Sequence, residues 1–176
     1  MKLTGKILIR VFALYLIVAI AWINGDGQKR PKQQIKRQTY LESIKLLELR
    51  LENVQEKWRK GEIVTVKVYT TNKGKTTVRI PHTVPWYKYQ ISILKENNQQ
   101  APKTPFLEKQ LKSGALSFTA QEIKPGETLE EKISLGDLFD MTQKGTYKIV
   151  FKRPFFVEGK VQHELISNSI TLSVVE

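Results

Sequence analysis

The chain has 176 residues, 29 Lys and Arg against 17 Asp and Glu, no Cys, and 40% hydrophobic and 26% charged residues. This is the composition of one globular domain with an appendage, and it excludes a disulfide scaffold, a thiolate metal site and a lipid-bearing cysteine. Removing residues 1–21 takes away Lys2, Lys6 and Arg10 and no acid, so the net charge of +12 stays basic without them.

Three basic residues precede an uninterrupted apolar run from Val11 to Ile23, and Ala19 and Ala21 stand at the spacing that signal peptidase reads. That is the layout of a secretory signal peptide. Thirteen residues span only about 20 Å as a helix, short of a hydrocarbon core of about 30 Å. Counting Ile7, Leu8 and Ile9, with Arg10 snorkelling to the interface, extends the segment toward a signal anchor. Lys29, Arg30, Lys32, Lys36 and Arg37 follow the run and resist translocation. The expectation is an N-terminal hydrophobic helix over residues 1–23, cleaved or retained as a membrane anchor. The location expected is extracytoplasmic, that is secreted, periplasmic or membrane-anchored. Residues 24–38 read as a basic linker, a solvated spacer or a polybasic patch facing an anionic surface. Residues 39–176 read as one domain.

Within that domain the apolar period is two. Leu47, Leu49 and Leu51 alternate with Glu48, Arg50 and Glu52, and Val64, Val66 and Val68 with Thr65 and Lys67. Tyr40 to Lys60 carries a competing helical spacing at Leu41, Ile44, Leu47 and Leu51. Asn72, Lys73 and Gly74 read as a hairpin turn before a strand from Thr76 to Ile80. A further strand over Trp86–Leu94 ends in a turn at Asn97 and Asn98. Others are expected over Leu116–Ile123, Thr128–Leu135, Thr146–Lys152 and Ser169–Val175, with Pro125 and Gly126 between the first two. Seven to eight antiparallel strands without long helices indicate an all-β sandwich.

Several of these runs resemble immunoglobulin-like β-sandwich modules of secreted bacterial proteins. Trp58-Arg59-Lys60-Gly61-Glu62-Ile63-Val64-Thr65-Val66, ending in Asn72-Lys73-Gly74, is similar to their first hairpin. Ile123-Lys124-Pro125-Gly126-Glu127-Thr128-Leu129, Leu135-Gly136-Asp137-Leu138-Phe139-Asp140 and Gly145-Thr146-Tyr147-Lys148-Ile149 resemble the segments that follow. Ser167-Asn168-Ser169-Ile170-Thr171-Leu172 resembles the last strand, including that of the module preceding the catalytic domain in some aspzincin metalloproteases. Bacterial intracellular proteinase inhibitors share a similar strand grammar. The resemblance implies an immunoglobulin-like fold and a tyrosine corner at Tyr147, with Ile149 where a disulfide cysteine stands in antibody domains.

Catalytic constellations are missing from the sequence. His163 and Glu164 begin a His-Glu-x-x-His pattern, but Ser167 holds its fifth position and breaks the zinc pair. His82, the other histidine, reads as a loop residue. Asp137 and Asp140 could together cup a cation, but the favoured reading is that Asp137 caps a single helical turn between two strands. No nucleophile elbow or phosphate-binding glycine loop occurs. The chain is therefore expected not to be an enzyme and to need no cofactor or metal.

Binding remains. If Tyr87, Tyr89, Ile91 and Ile93 point inward, Trp86 and Lys88 point outward, near His82 and Arg79. These four form one candidate contact for a partner protein or envelope polymer. Phe155 and Phe156 form a second, expected at the opposite end of the domain. Basic residues are interspersed with acids along the strands, so no nucleic-acid partner is expected. The sequence thus predicts a non-catalytic interaction or structural module of the cell envelope, with a proteinase inhibitor of similar architecture as the alternative.

Overall fold

The computed structural model describes residues 30–114, 117–157 and 160–176. The apolar run at 1–23, with its signal or anchor reading, and linker residues 24–29 lie outside them. Thr39–Glu176 forms one compact unit, separate from the unit that ends at Gln38.

The basic stretch from Arg30 is helical: α1 covers Arg30–Ile44, with Pro31 in its first turn, where a missing N–H is tolerated. Tyr40 and Leu41 pack on the domain core and Ile44 is fully buried. The helical spacing noted in the sequence ends there, because Leu47, Leu49 and Leu51 are the inward side of strand β1 (Leu47–Asn53).

The described residues are mostly β. One sheet has the order β1, β3 (Thr65–Asn72), β7 (Thr128–Ser134), all antiparallel. A second has the order β2 (Lys57–Arg59), β10 (Ile170–Val175), β8 (Gly145–Val157), β5 (Gln90–Lys95). Its pairs are antiparallel except β2, which runs parallel to β10. The far half of the long β8 pairs with β9 (Lys160–Ile166). Ser167 interrupts the chain between β9 and β10; its N–H donates to Phe151 O and its Oγ accepts from Phe151 N at 3.0 Å. A third ladder joins β4 (Val78–His82) to β6 (Thr119–Ile123). Val66, Val68, Ile80, Ile93, Ile123, Tyr147, Ile149, Phe151 and Leu172 from these ladders share one hydrophobic core.

Asn72-Lys73-Gly74 does not make a hairpin. β3 pairs with β1 and β7, and β4 pairs with β6. A two-residue hairpin needs positive φ in its turn, and none of these three residues has it. The fully buried Asn72 side chain holds a joint instead. Its Nδ2 donates to Thr76 O (2.8 Å) and Ile123 O (2.9 Å), and its Oδ1 accepts from Gly74 N (2.8 Å). Across from it the chain kinks at Lys124–Glu127, where Gly126 has φ of 75° and its N–H donates to Asn72 O. The paired strands β3 and β7 thus bend together into β4 and β6. Such interruptions raise the strand count among the described residues to ten, above the seven or eight expected.

Three further short helices lie among the described residues of the domain. Trp86 is not in a strand: α2 (Pro85–Lys88) precedes β5. α3 (Pro105–Ser113), unforeseen in the sequence, is capped by Thr104, whose Oγ1 accepts from Leu107 N, and ends at Gly114 with φ of 62°. α4 (Leu135–Leu138) is the helical turn expected there. Asp137 lies within it, and Asp140 accepts from Thr142 N and Oγ1. Tyr147 donates its hydroxyl proton to Gln143 O at 2.7 Å, four residues upstream.

Candidate functional site

The phase of β5 and of the turn before it decides what reaches the interior. Pro85 opens α2 with its φ already suited to a helix. The N–H groups of Tyr87 and Lys88 donate to Val84 O, and that of Tyr89 to Pro85 O. A helical turn followed by a strand breaks the alternation, so the consecutive residues Lys88 and Tyr89 are both buried. Lys88, expected to point outward, is 5% exposed.

A buried ammonium needs partners. Lys88 Nζ donates to Glu131 Oε1 on β7 (2.7 Å) and to His82 Nδ1 at the end of β4 (3.1 Å). With Lys88 as donor, Nδ1 of His82 accepts and Nε2 carries the ring proton. Glu131 Oε2 accepts from the Tyr89 hydroxyl at 2.8 Å. Arg153 on β8, only 4% exposed, donates from Nη2 to Pro81 O (2.7 Å). Its guanidinium carbon lies 5.7 Å from the Tyr89 ring centre and 5.4 Å from that of Phe155.

Burial lowers the Lys88 pKa; Glu131 opposes that shift and Arg153 adds to it. Arg153 is likewise lowered by burial, against the opposing pull of Tyr89 and Glu131. Burial drives the Tyr89 phenol well above its ordinary range, so it stays a donor to Glu131. Among the described residues Glu131 is the acid acting on both cations. The cluster therefore carries two positive charges on one carboxylate.

Both cations line a cleft of about 500 Å³. Tyr40, Tyr87, Phe118, Phe155 and Phe156 form its apolar walls, and Pro81, Thr83 and Pro154 complete it. Phe118 and Phe156 are 58% and 56% exposed, while Phe155 is buried and stacks on His163 with 6.5 Å between ring centres. Thr83 Oγ1 is buried without a hydrogen-bond partner.

The two contact patches expected at opposite ends of the domain thus meet: Lys88 lines one cleft with Phe155 and Phe156. The crossover from α2 into β5 and the length of β8, which carries Phe155 beyond β10 to pair with His163, bring them together. His82 joins through Lys88. Arg79 stays exposed on β4, across from Glu122. Trp86 lines a separate cleft of about 280 Å³ with Leu107 and Leu138, under the edge of Phe106 at 5.6 Å. Phe106 and Leu107, both beside it, belong to α3. Arg153, Glu131, Tyr89, Tyr40, Tyr87, Thr83 and Phe118 were not foreseen. Among the described residues no group of three or more His, Asp or Glu side chains is placed to hold a metal ion, and no helix is long and apolar enough to cross a membrane.

No family model and no curated protein matches the chain. Among solved structures it is similar to the crystal structure of beta-D-glucoside glucohydrolase from Trichoderma reesei, at 18% identity and a TM-score of 0.33. The match covers 72% of this chain and 18% of that one, so the chain spans under a fifth of the length of that enzyme.

Proposed function

We propose that residues 39–176 form an immunoglobulin-like β-sandwich that acts as a non-catalytic interaction module at the cell envelope, held or delivered there by the N-terminal apolar segment. Three features support the fold assignment. With β1, β3 and β7 as strands A, B and E, and β5, β8 and β10 as C, F and G, the two sheet orders follow the immunoglobulin pattern. Tyr147 bonds back to Gln143 O as a tyrosine-corner residue does. Ile149, in the cysteine position, is fully buried.

The observation that carries the functional reading is the cleft. Exposed Phe118 and Phe156 stand at an apolar cavity with buried cations, a combination of anchoring surface and oriented polar groups suited to recognition. The partner is a protein, or a polymer of the envelope. A photo-crosslinking residue at Phe156 of the full chain, expressed in its own cells, should give one discrete adduct in the envelope fraction. The same residue at Glu122, on the exposed side of β6, should give none. Equal, diffuse labelling at both positions rejects the reading, and stoichiometric block of a proteinase assigns the domain to the inhibitor alternative.

A further inference from the structure

The cleft is unbalanced in charge. Lys88 and Arg153 are both more than nine-tenths buried and both line it, while Glu131 is not among its lining residues and reaches Lys88 from β7 behind. Both Glu131 oxygens are already engaged, by Lys88 Nζ and by the Tyr89 hydroxyl. Tyr89 and Tyr40 are held neutral, because burial raises both phenols. His82 Nδ1 lies 3.1 Å from Lys88 Nζ. Among the described residues one positive charge is therefore left without a counterion, in a site walled by aromatic rings, and Thr83 Oγ1 sits in the same wall with no partner there. An uncompensated buried charge is costly, and an anion entering the cleft removes that cost.

On these grounds, and resting on the reading of the cleft as the partner site, we propose that it binds a single carboxylate carried on an apolar body: the carboxyl terminus of a partner protein that ends in an aromatic or large aliphatic residue. One excess charge matches a monoanion better than a phosphate dianion. Arg153 supplies a planar donor array suited to a carboxylate, Lys88 supplies a point charge beside it, and Thr83 supplies a hydroxyl donor. Phe118, Phe156 and Tyr87 receive the terminal side chain, which in a peptide lies directly beside its own carboxylate. The volume of about 500 Å³ lies in the range of ordinary ligand pockets and suits one terminal residue with part of the one before it.

The test uses the full chain in equilibrium dialysis against N-acetylphenylalanine, its neutral carboxamide, and octanoate. The expected result is that the carboxylate binds at least about tenfold more tightly than the carboxamide, the ratio a charge-assisted hydrogen bond supplies. Arg153→Met should erase that ratio. Phe156→Ser, at a position 56% exposed, should weaken both aromatic probes while keeping their ratio. If Arg153→Met fails to fold, the wild-type ratio and Phe156→Ser still decide. Equal binding of acid and amide overturns the carboxylate assignment and leaves an apolar partner cleft standing. Octanoate binding more tightly than N-acetylphenylalanine overturns the peptide-terminus assignment in favour of a lipid-derived acid. Binding of none of the three at millimolar concentration overturns the proposal outright, whereas the reading of the cleft as a partner site fails only if crosslinking at Phe156 also gives no discrete adduct.

Discussion

Replacing Glu131 with Gln isolates the charge of the buried cluster from its shape. Gln keeps the length of the side chain and an oxygen for the Tyr89 hydroxyl, so what disappears is the negative charge 2.7 Å from Lys88 Nζ. The Lys88 side chain is 3% exposed and that of Glu131 is 29% exposed. Removing one partner of a fully buried pair costs about 3–5 kcal/mol. Solvent at Glu131 screens part of the interaction, which lowers the expected loss to about 2–3 kcal/mol. Against a total stability of about 5–15 kcal/mol the variant should still fold, with a lower urea midpoint and an unchanged slope. Combining Glu131→Gln with Lys88→Met should recover most of the loss, because the double variant leaves no unpaired ammonium. Urea unfolding of the full chain followed by circular dichroism measures all three. A single variant within about 0.5 kcal/mol of wild type, or a double variant as unstable as the sum of the two single changes, would refute the account of the cluster.

Four further outcomes are expected. Burial lowers the Lys88 pKa below its ordinary 10.5, so between that lowered value and 10.5 the unfolded chain binds more protons than the folded one. Wild type should therefore gain stability relative to Lys88→Met as pH rises toward 10, below the range where Tyr89 ionisation in the unfolded chain reverses the trend; parallel pH profiles would contradict this. Ile149→Asp places a carboxylate at a fully buried strand centre, and circular dichroism should show the fold lost, since the cost of several kcal/mol rivals the total stability. Asn72→Ala removes three hydrogen bonds at the joint of the bent strands and should cost about 2–4 kcal/mol in urea unfolding, against about 1 kcal/mol for Tyr147→Phe. Mass and protease accessibility decide the compartment: a cleaved signal gives a mature chain beginning at Trp22 or Gln28, an anchor gives Met1 with the domain cleavable from outside, and a shielded domain in intact cells rejects an envelope role.

Alternation made much of the β structure legible. Leu47, Leu49 and Leu51, Val66 and Val68, and Tyr147 and Ile149 are inward as their period of two requires. Period does not reveal which strands pair. Asn72-Lys73-Gly74 carries turn residues yet closes no hairpin, while Pro125-Gly126 makes the turn expected between its two strands, closed by Glu127 N–H donating to Lys124 O; the buried Asn72 amide and carbonyl tie the two segments together across the ladder. α3 left a signal in Thr104-Pro105 and Gly114, a capping residue, a first-turn proline and a left-handed terminus, with Leu107 and Leu111 at helical spacing between them. The cleft was legible in part. Carrying the alternation of β8 past Phe151 lands on Arg153 and then Phe155, and carrying that of β7 between Leu129 and Ile133 lands on Glu131. Two opposite charges at inward positions of different strands signal a buried pairing. Lys88 was hidden, because the helical turn at Pro85 changes the phase just before the strand begins.

Those inward charges bear on why the site exists. Ile149, Phe151 and Phe155 share the inward side of β8 with Arg153, and Ile133 and Leu129 share that of β7 with Glu131. An aliphatic residue at either position would satisfy the core, and replacing buried ions by well-packed apolar groups is generally neutral or stabilising. Stability therefore does not account for the charged cluster. The cluster is placed where β8 runs beyond β10 toward its hairpin with β9, beside the rings of Phe118 and Phe156 that solvent still reaches. Charge that weakens a core and surface aromatics that it leaves uncovered are two separate departures from a domain built for stability alone. They meet in one cleft, and a ligand that is anionic at one end and apolar at the other resolves both.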